Sequence, residues 1–253
     1  MIFHFTIFFW TLIFLCGLEF IAVSPILLEW SWYIFSITPL LIISLLACRK
    51  ITKRFTDVFL PGLLSFAAPT LLSLIDYPTQ RQMFVVLSAL MYYFALLGLY
   101  RLRHAPTDQT AQSFLNIAAV AALFFYYTGI FGFYLNFSFP LWGLMVLYFL
   151  GTALTSYKTF AGVEREGVEK RRLILYSTLL GLFACEMAWV MSFWPFGYLT
   201  AGVLVLVFFF LAWDISFDAF HRVLSLKKAV SRILFFFLLI GILLWSTPWH
   251  ILV

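Results

Sequence analysis

Charge is what this chain has least of. Asp, Glu, Lys and Arg make up 11% of its 253 residues, against 64% apolar residues and 21% aromatics. A soluble domain carries about a quarter of its residues as charges, so most of this surface is not built for water, and a mean hydropathy of +1.03 agrees. Cysteine is almost as sparse. Cys16, Cys48 and Cys185 are scattered in or beside apolar stretches without a C-x-x-C pair, which argues against a disulfide framework or a structural zinc site. The chain also lacks H-E-x-x-H, G-x-S-x-G and a glycine-rich phosphate loop, the local signatures of zinc peptidases, serine hydrolases and nucleotide-binding enzymes. Its histidines offer no ligand spacing: His4 and His250 fall on opposite sides of the membrane in the topology below, and His104 and His221 stand in polar gaps without thiolates nearby. No catalytic set, metal site or cofactor is expected from these residues.

What the chain does have is long apolar runs. Nine of them, at approximately 2–24, 30–48, 55–75, 83–100, 113–135, 139–157, 173–193, 197–216 and 233–252, approach the ~20 residues a helix needs to cross a 30 Å hydrocarbon core. The expectation is an all-α polytopic bundle, a single transmembrane domain over residues 1–253 with about nine spans. The first run has no Lys or Arg ahead of it and no small-residue cleavage pattern behind it, so it is read as a retained helix rather than a signal peptide.

Fifteen of the sixteen Lys and Arg residues lie in the even-numbered gaps between runs. Arg49, Lys50, Lys53 and Arg54 fill the second; Arg101 and Arg103 the fourth; Lys158, Arg165, Lys170, Arg171 and Arg172 the sixth; Arg222, Lys227, Lys228 and Arg232 the eighth. Positive charge stays on the cytoplasmic side, which puts the N-terminus inside and the C-terminus outside. Trp30, Trp32, Trp142, Trp189, Trp194, Trp245 and Trp249 then all fall in the outer half, where indole prefers the interface. The net charge of +5 is thus a topology signal and not a nucleic-acid patch. Arg49, Lys50, Lys53, Arg54, Arg171, Arg172, Lys227 and Lys228 are expected to meet anionic lipid head groups of the bilayer, at roughly 1 kcal/mol each.

Between the runs there is little chain for a separate domain. Thr159 to Arg172, with Gly162 and Gly167 around Glu164, Arg165 and Glu166, reads as a solvated turn or a docking loop. Phe217, Phe220, Val223 and Leu224 recur at helical spacing among Asp218, Arg222, Lys227 and Lys228, so residues 217–231 are expected to form an amphipathic helix on the inner leaflet. Pro61-Gly62 and Pro69 interrupt the third run, either as packing kinks or as a broken helix of the kind that carriers use. Small residues at Ala118, Ala119, Ala121, Ala122, Gly129 and Gly132 mark the fifth run as central.

Ionisable groups inside hydrocarbon cost roughly 2.5–3.5 kcal/mol near a helix centre, so function shows there first. Glu186 lies about 21 Å beyond Arg172 at 1.5 Å per residue, in the outer half of the seventh run. A carboxyl at that depth is protonated, paired or facing a wet cavity. Trp189 shares its helical face, and Glu19 sits at comparable outer depth on the first run. Two roles stay open: a proton or substrate site formed by Glu186, Trp189 and Glu19, or a hydrogen bond that holds helices together with Tyr126, Tyr127 or Ser192. Asp214 reads as structural, part of an exposed charge ladder with Asp218 and Arg222 one turn apart.

The stretch Glu186-x-x-Trp189-x-x-x-Phe193-Trp194-Pro195, followed by Gly202 and Phe208-Phe209-Phe210, resembles a signature of an uncharacterised family of bacterial multispanning membrane proteins, a domain of unknown function. The resemblance implies a multi-pass protein of the bacterial plasma membrane, points to the locus around Glu186 and supplies no chemistry. Short loops and the missing catalytic set lead to the expectation of a membrane scaffold or assembly subunit with a membrane protein partner. The alternative is a carrier for a lipid, lipid-linked or small hydrophobic substrate, resting on Glu186, Glu19 and the broken third run. An intramembrane lipid-modifying enzyme stands third, because it needs polar residues to converge at one depth.

Overall fold

The computed structural model describes residues 2–24, 30–53, 55–105, 107–137, 139–163, 170–220 and 225–247, and of these all side chains but those of 2–4, 30–34, 55–56 and 162–163. Regular structure among the described residues is helical throughout. In chain order the α-helices are α1 (Ile2–Val23), α2 (Trp30–Ile51), α3 (Phe59–Leu72), α4 (Pro78–His104), α5 (Gln109–Asn136), α6 (Leu141–Val163), α7 (Lys170–Met191), α8 (Tyr198–Phe220) and α9 (Leu226–Ser246). Six of them, α1, α4, α5, α7, α8 and α9, are long and apolar enough to cross a membrane. The chain is an all-helical, multi-pass membrane protein.

Three expected segments differ from what forms. The run 55–75 is not one full-length helix: Phe55–Val58 winds as a 3-10 turn, and α3 itself has 14 residues, about 21 Å at 1.5 Å per residue and short of a 30 Å core. Pro69 has no N–H to return to the preceding turn, and the chain then leaves the helix through i to i−3 bonds, Leu74 N–H to the Leu71 carbonyl and Ile75 N–H to that of Leu72. The run expected at 233–252 begins earlier, because Ser225 caps α9 by accepting the Lys228 N–H. It stops at Ser246, two residues ahead of Pro248, and residues 248–252 lie outside the described residues. The amphipathic helix expected at 217–231 is divided instead. Phe217–Phe220 is the last turn of α8 and Leu226–Ser231 belongs to the first turns of α9, while Arg222, Val223 and Leu224 lie outside the described residues. The reason is aromatic packing, since Phe217 and Phe220 follow Trp213 around the ring of Phe160 and carry α8 onward.

The chain divides into two compact units, Met1–Gly129 and Ile130–Val253, with the boundary inside α5. In the first unit, α1 packs on α4 and α2, and α3 packs on α2 and α4. Ile7, Thr11, Phe14, Leu18 and Ile21 turn one face of α1 inward, and the Phe14 ring stacks on Tyr92 of α4 at 4.1 Å. The helix ends are tied by polar bonds. Arg103 Nη1 donates to the Ile51 carbonyl at 3.0 Å, joining the basic ends of α4 and α2, and Gln82 Nε2 donates to Glu19 Oε1 at 2.7 Å where α4 starts and α1 finishes.

The link from α4 to α5 is a helix cap with a salt bridge. Asp108 Oδ1 accepts the N–H groups of Thr110 and Ala111 at 3.0 and 3.3 Å, and Oδ2 meets Arg101 Nε at 2.8 Å. Desolvation pushes this carboxyl up, but the Ala111 amide, the Arg101 guanidinium and the Thr110 amide outweigh it and hold the group below the usual carboxylate range. A carboxylate with a depressed folded pKa stabilises above its unfolded value, about 3.9, and loses that contribution as pH falls through the folded value. Asp108→Asn keeps the cap acceptor and removes the charge. The stability gap between wild type and Asp108→Asn is expected to hold from neutral pH down to about 4 and to close below it. Thermal unfolding of both proteins across that range checks this; a gap that persists unchanged at the acid end would refute it.

In the second unit, α6 and α7 form the tightest pair, with α7 packing on α8 and α8 on α9. Small and hydroxyl residues line α6 and α7, and three of the hydroxyls are turned back on their own helices: Thr152 Oγ1 donates to the Tyr148 carbonyl, Thr155 to Gly151 and Ser177 to Leu173, all at 2.7 Å. At the basic end, buried Phe160 is enclosed by Trp213, Phe217 and Phe220 of α8 and Tyr176 of α7. α9 is the peripheral element, and Ile240 is its one buried residue among those described.

Candidate functional site

The residues to place first are the carboxylates that the helices carry to membrane depth. Glu19 belongs to the first unit. It sits one turn from the end of α1, half-buried, and accepts the 2.7 Å bond from Gln82. Gln82 was not singled out in the sequence because a polar residue in the first turns of a helix looks like ordinary interfacial decoration.

Glu186 belongs to the second unit, on α7, and its side chain is exposed. Leu182 and Trp189, its neighbours one turn away on either side, are 47% and 46% exposed. The Trp189 ring meets Phe193 edge-on, with centroids 5.1 Å apart and planes at 89°. Glu186 and Trp189 therefore do share a face of α7, on which both are exposed, and Phe193 follows in the turn after Met191. Ser192, a partner considered for Glu186, instead donates its hydroxyl to the Trp189 carbonyl at 2.7 Å, and Tyr126 and Tyr127 are buried in the first unit. Among the described residues Glu186 makes no hydrogen bond or ion pair.

Asp214 belongs to the charge ladder expected with Asp218 and Arg222, of which Arg222 lies outside the described residues. Its carboxylate and that of Asp218, one turn on, both face Arg232 of α9: Arg232 Nε reaches Asp214 Oδ2 and Nη1 reaches Asp218 Oδ2, each at 2.7 Å. A planar guanidinium with two donor edges suits such a pair better than an ammonium. Sequence spacing along one helix showed the two acids but not the cation, which arrives from the next helix.

The expected head-group contacts lie at the basic ends. Arg49, Lys50, Lys53, Arg171, Arg172, Lys227 and Lys228 are exposed, and Arg54 lies outside the described residues. So do Glu164, Arg165 and Glu166 of the sixth gap, together with His221 and His250. Lys53 takes a left-handed φ of 56° where the chain turns from α2 toward α3.

A second polar group was missed altogether. In the core of the first unit, Ser44 of α2 contacts the hydroxyls of Ser65 on α3 and Tyr92 on α4, the latter at 3.1 Å, and donates to the Pro61 carbonyl at 3.3 Å. One turn before Tyr92, the Ser88 hydroxyl is fully buried and without a hydrogen-bond partner. Hydroxyls are common in membrane helices, so nothing in the sequence distinguishes these four. No group of three or more His, Cys, Asp or Glu residues suited to a metal ion occurs among the described residues. Two hollows on the surface are shallow and apolar, one along Phe35, Pro39 and Ile42, another along Met83, Leu87 and Leu90.

The family model for a protein of unknown function (DUF5656) matches residues 30–246, from the start of α2 to the end of α9. No curated protein and no solved structure matches the chain.

Proposed function

The chain belongs to the DUF5656 family, whose function is unknown, and from that premise we propose that it is a membrane scaffold or assembly subunit that acts by presenting helix faces to another membrane protein. The carrying observation is that, within each unit taken by itself, the membrane-depth carboxylates serve local bonds or stand exposed. Glu19 is taken up by Gln82, Asp214 and Asp218 by Arg232, and Glu186 is turned outward on α7. A carrier gathers such groups around a substrate at the midplane, and a lipid-modifying enzyme gathers them around a reacting bond. An outward polar group on an apolar helix instead suits lateral contact.

The same reading takes the chain as a bacterial plasma-membrane protein with about nine passes, the third of them short, the N-terminus inside and the C-terminus outside. It is supported within each unit by the grouping of charge. Arg103 of the fourth gap bonds Ile51 beside the second gap, and Arg232 joins the end of α8 that packs on Phe160, two residues from Lys158. Basic residues thus collect at one end of each unit, where anionic head groups attract them.

The experiment is purification from native membranes into lipid discs, followed by mass spectrometry of what stays bound. The expected result is a stoichiometric membrane protein, another copy of the chain included. A monomer holding one specific lipid overturns the scaffold reading. That outcome favours a carrier for a lipid, lipid-linked or small hydrophobic substrate, for which the buried hydroxyls of Ser44, Ser65, Tyr92 and unpartnered Ser88 around Pro61 are the supporting observation.

A further inference from the structure

We propose that the basic end of the first unit, where α2 and α4 finish, is a specific site for one anionic phospholipid, its phosphate held by Lys50, Lys53 and Arg103. The proposal rests on the reading that basic ends meet anionic head groups, and deepens it by making one such contact a defined site.

A hydrogen bond between the two helix ends gathers the cations. Arg103 Nη1 donates to the Ile51 carbonyl at 3.0 Å, which sets the guanidinium against backbone one residue from Lys50 and two from Lys53. The chain turns at Lys53 with a φ of 56°, and all three side chains are exposed. None of the three meets a carboxylate among the described residues, whereas Arg101, one turn from the end of α4, is already taken by Asp108. The C-termini of α2 and α4 offset about half a charge each, so roughly two of the three positive charges stay unanswered. Cations brought this close repel one another, and an anion among them removes that cost.

The anion that fits is a phosphate on a lipid. After the Ile51 bond the Arg103 guanidinium keeps its Nε and Nη2 donors, a flat edge that suits two phosphate oxygens, and the lysines add compact point charges. Lys50 also closes an apolar face of α2. Pro39, Ile42, Leu46 and Lys50 follow at spacings of three and four, all exposed, and a shallow hollow runs along Pro39 and Ile42. From Lys50 to Pro39 is about 16 Å of helix axis, close to the ~15 Å of hydrocarbon in one leaflet. A phospholipid uses both features at once, the phosphate on the cations and an acyl chain along Leu46 and Ile42. A soluble phosphate uses only the first.

The test puts the full chain in phosphatidylcholine discs, adds phosphatidylglycerol back and counts bound lipid by native mass spectrometry. One phosphatidylglycerol per chain is expected at saturation. Arg103→Gln is expected to weaken its binding about fivefold and Lys50→Gln with Lys53→Gln about thirtyfold, while Arg171→Gln with Arg172→Gln, on α7, leaves it unchanged. The lysines are exposed, and an unchanged unfolding temperature in phosphatidylcholine alone shows that their variant is folded. Equal retention by wild type and the lysine variant overturns the site, as does a wild type that takes up phosphatidylglycerol no better than phosphatidylcholine. The same gain in unfolding temperature from inorganic phosphate overturns the lipid as occupant. The placement underneath is read separately, by Thr107→Cys in a chain whose own cysteines are replaced by serine. Shielding of that thiol from an impermeant reagent in intact cells is expected; labelling overturns the cytoplasmic placement and the proposal with it, whereas shielding with lost lipid selectivity overturns the site alone. A lipid released by the lysine substitutions is also told apart from one carried at the hydroxyls around Pro61.

Discussion

Gly181→Leu is expected to destabilise the second unit by about 3 kcal/mol, enough to lower the yield of folded protein visibly. α6 and α7 approach each other at this point without room for any side chain. A Cβ on residue 181 would lie 2.9 Å from the Ala153 Cβ, 3.0 Å from the Phe149 ring and 3.0 Å from the Phe149 carbonyl oxygen. Two of those atoms belong to or sit directly on backbone, so no rotamer change relieves the clash; the helices must separate. In lipid that separation is costly, because helix association rests on close packing and not on exclusion of water. Loss of contact would spread along the row Leu173, Ser177, Leu180, Ala184 and Ala188. Even Gly181→Ala is expected to cost about 1 kcal/mol. Gly241 provides the contrast. It lies within α9, an added Cβ meets nothing within 4 Å, and Gly241→Ala is expected to be neutral or slightly stabilising. Thermal unfolding of the three variants in lipid discs decides it: a Gly181→Leu protein that melts with wild type would mean that α6 and α7 part without penalty and that the packing account is wrong.

That contact also shows what the sequence could and could not reveal. Run lengths made the helical, multi-pass character legible, and the resemblance to a family of unknown function agrees with a family match that extends over residues 30–246. Faces were not legible. On α1 the buried side chains include Ile7, Phe14 and Leu18, and the exposed ones include Phe5, Phe8, Phe9 and Phe20. Lipid is as apolar as the core, so hydrophobic periodicity, which marks the inner side of a soluble helix, vanishes in the membrane. Glu186 illustrates the same loss. Its depth and its alignment with Trp189 followed from 1.5 Å and 3.6 residues per turn, but whether it looked in or out depended on which small residues α6 required. Gly181 and Ala184, which set that choice, are ordinary letters in an apolar run. The short α3 escaped for a different reason: residues 55–75 are apolar enough to span, and only the local bonding around Pro69 and Ser73 shortens the helix.

Arg232→Leu is expected to cost about 2 kcal/mol and to loosen α9 from α8. The guanidinium holds three acceptors on α8: the two carboxylates at 2.7 Å, and the Asp214 carbonyl, which accepts from Nη1 at 3.3 Å. Its removal leaves Asp214 and Asp218 as like charges one turn apart, a destabilising pair in its own right. The effect is moderated by solvent, since Arg232 and Asp214 are 30% and 39% exposed, but Asp218 at 16% has little water to fall back on. α9 has few other attachments. Leu226 and Trp245 near its ends are 83% and 89% exposed, and Ile240 is its one buried residue among those described. Arg232→Lys should recover only part of the loss, because an ammonium cannot present two donor edges to two carboxylates. The decisive variant is Arg232→Leu combined with Asp214→Asn and Asp218→Asn. If the cost comes from stranded carboxylates, removing them restores most of the stability, and a mutant cycle returns a large coupling energy. If the triple variant unfolds as readily as Arg232→Leu alone, the arginine is holding α9 through its aliphatic stem, and the charge network is incidental to the fold.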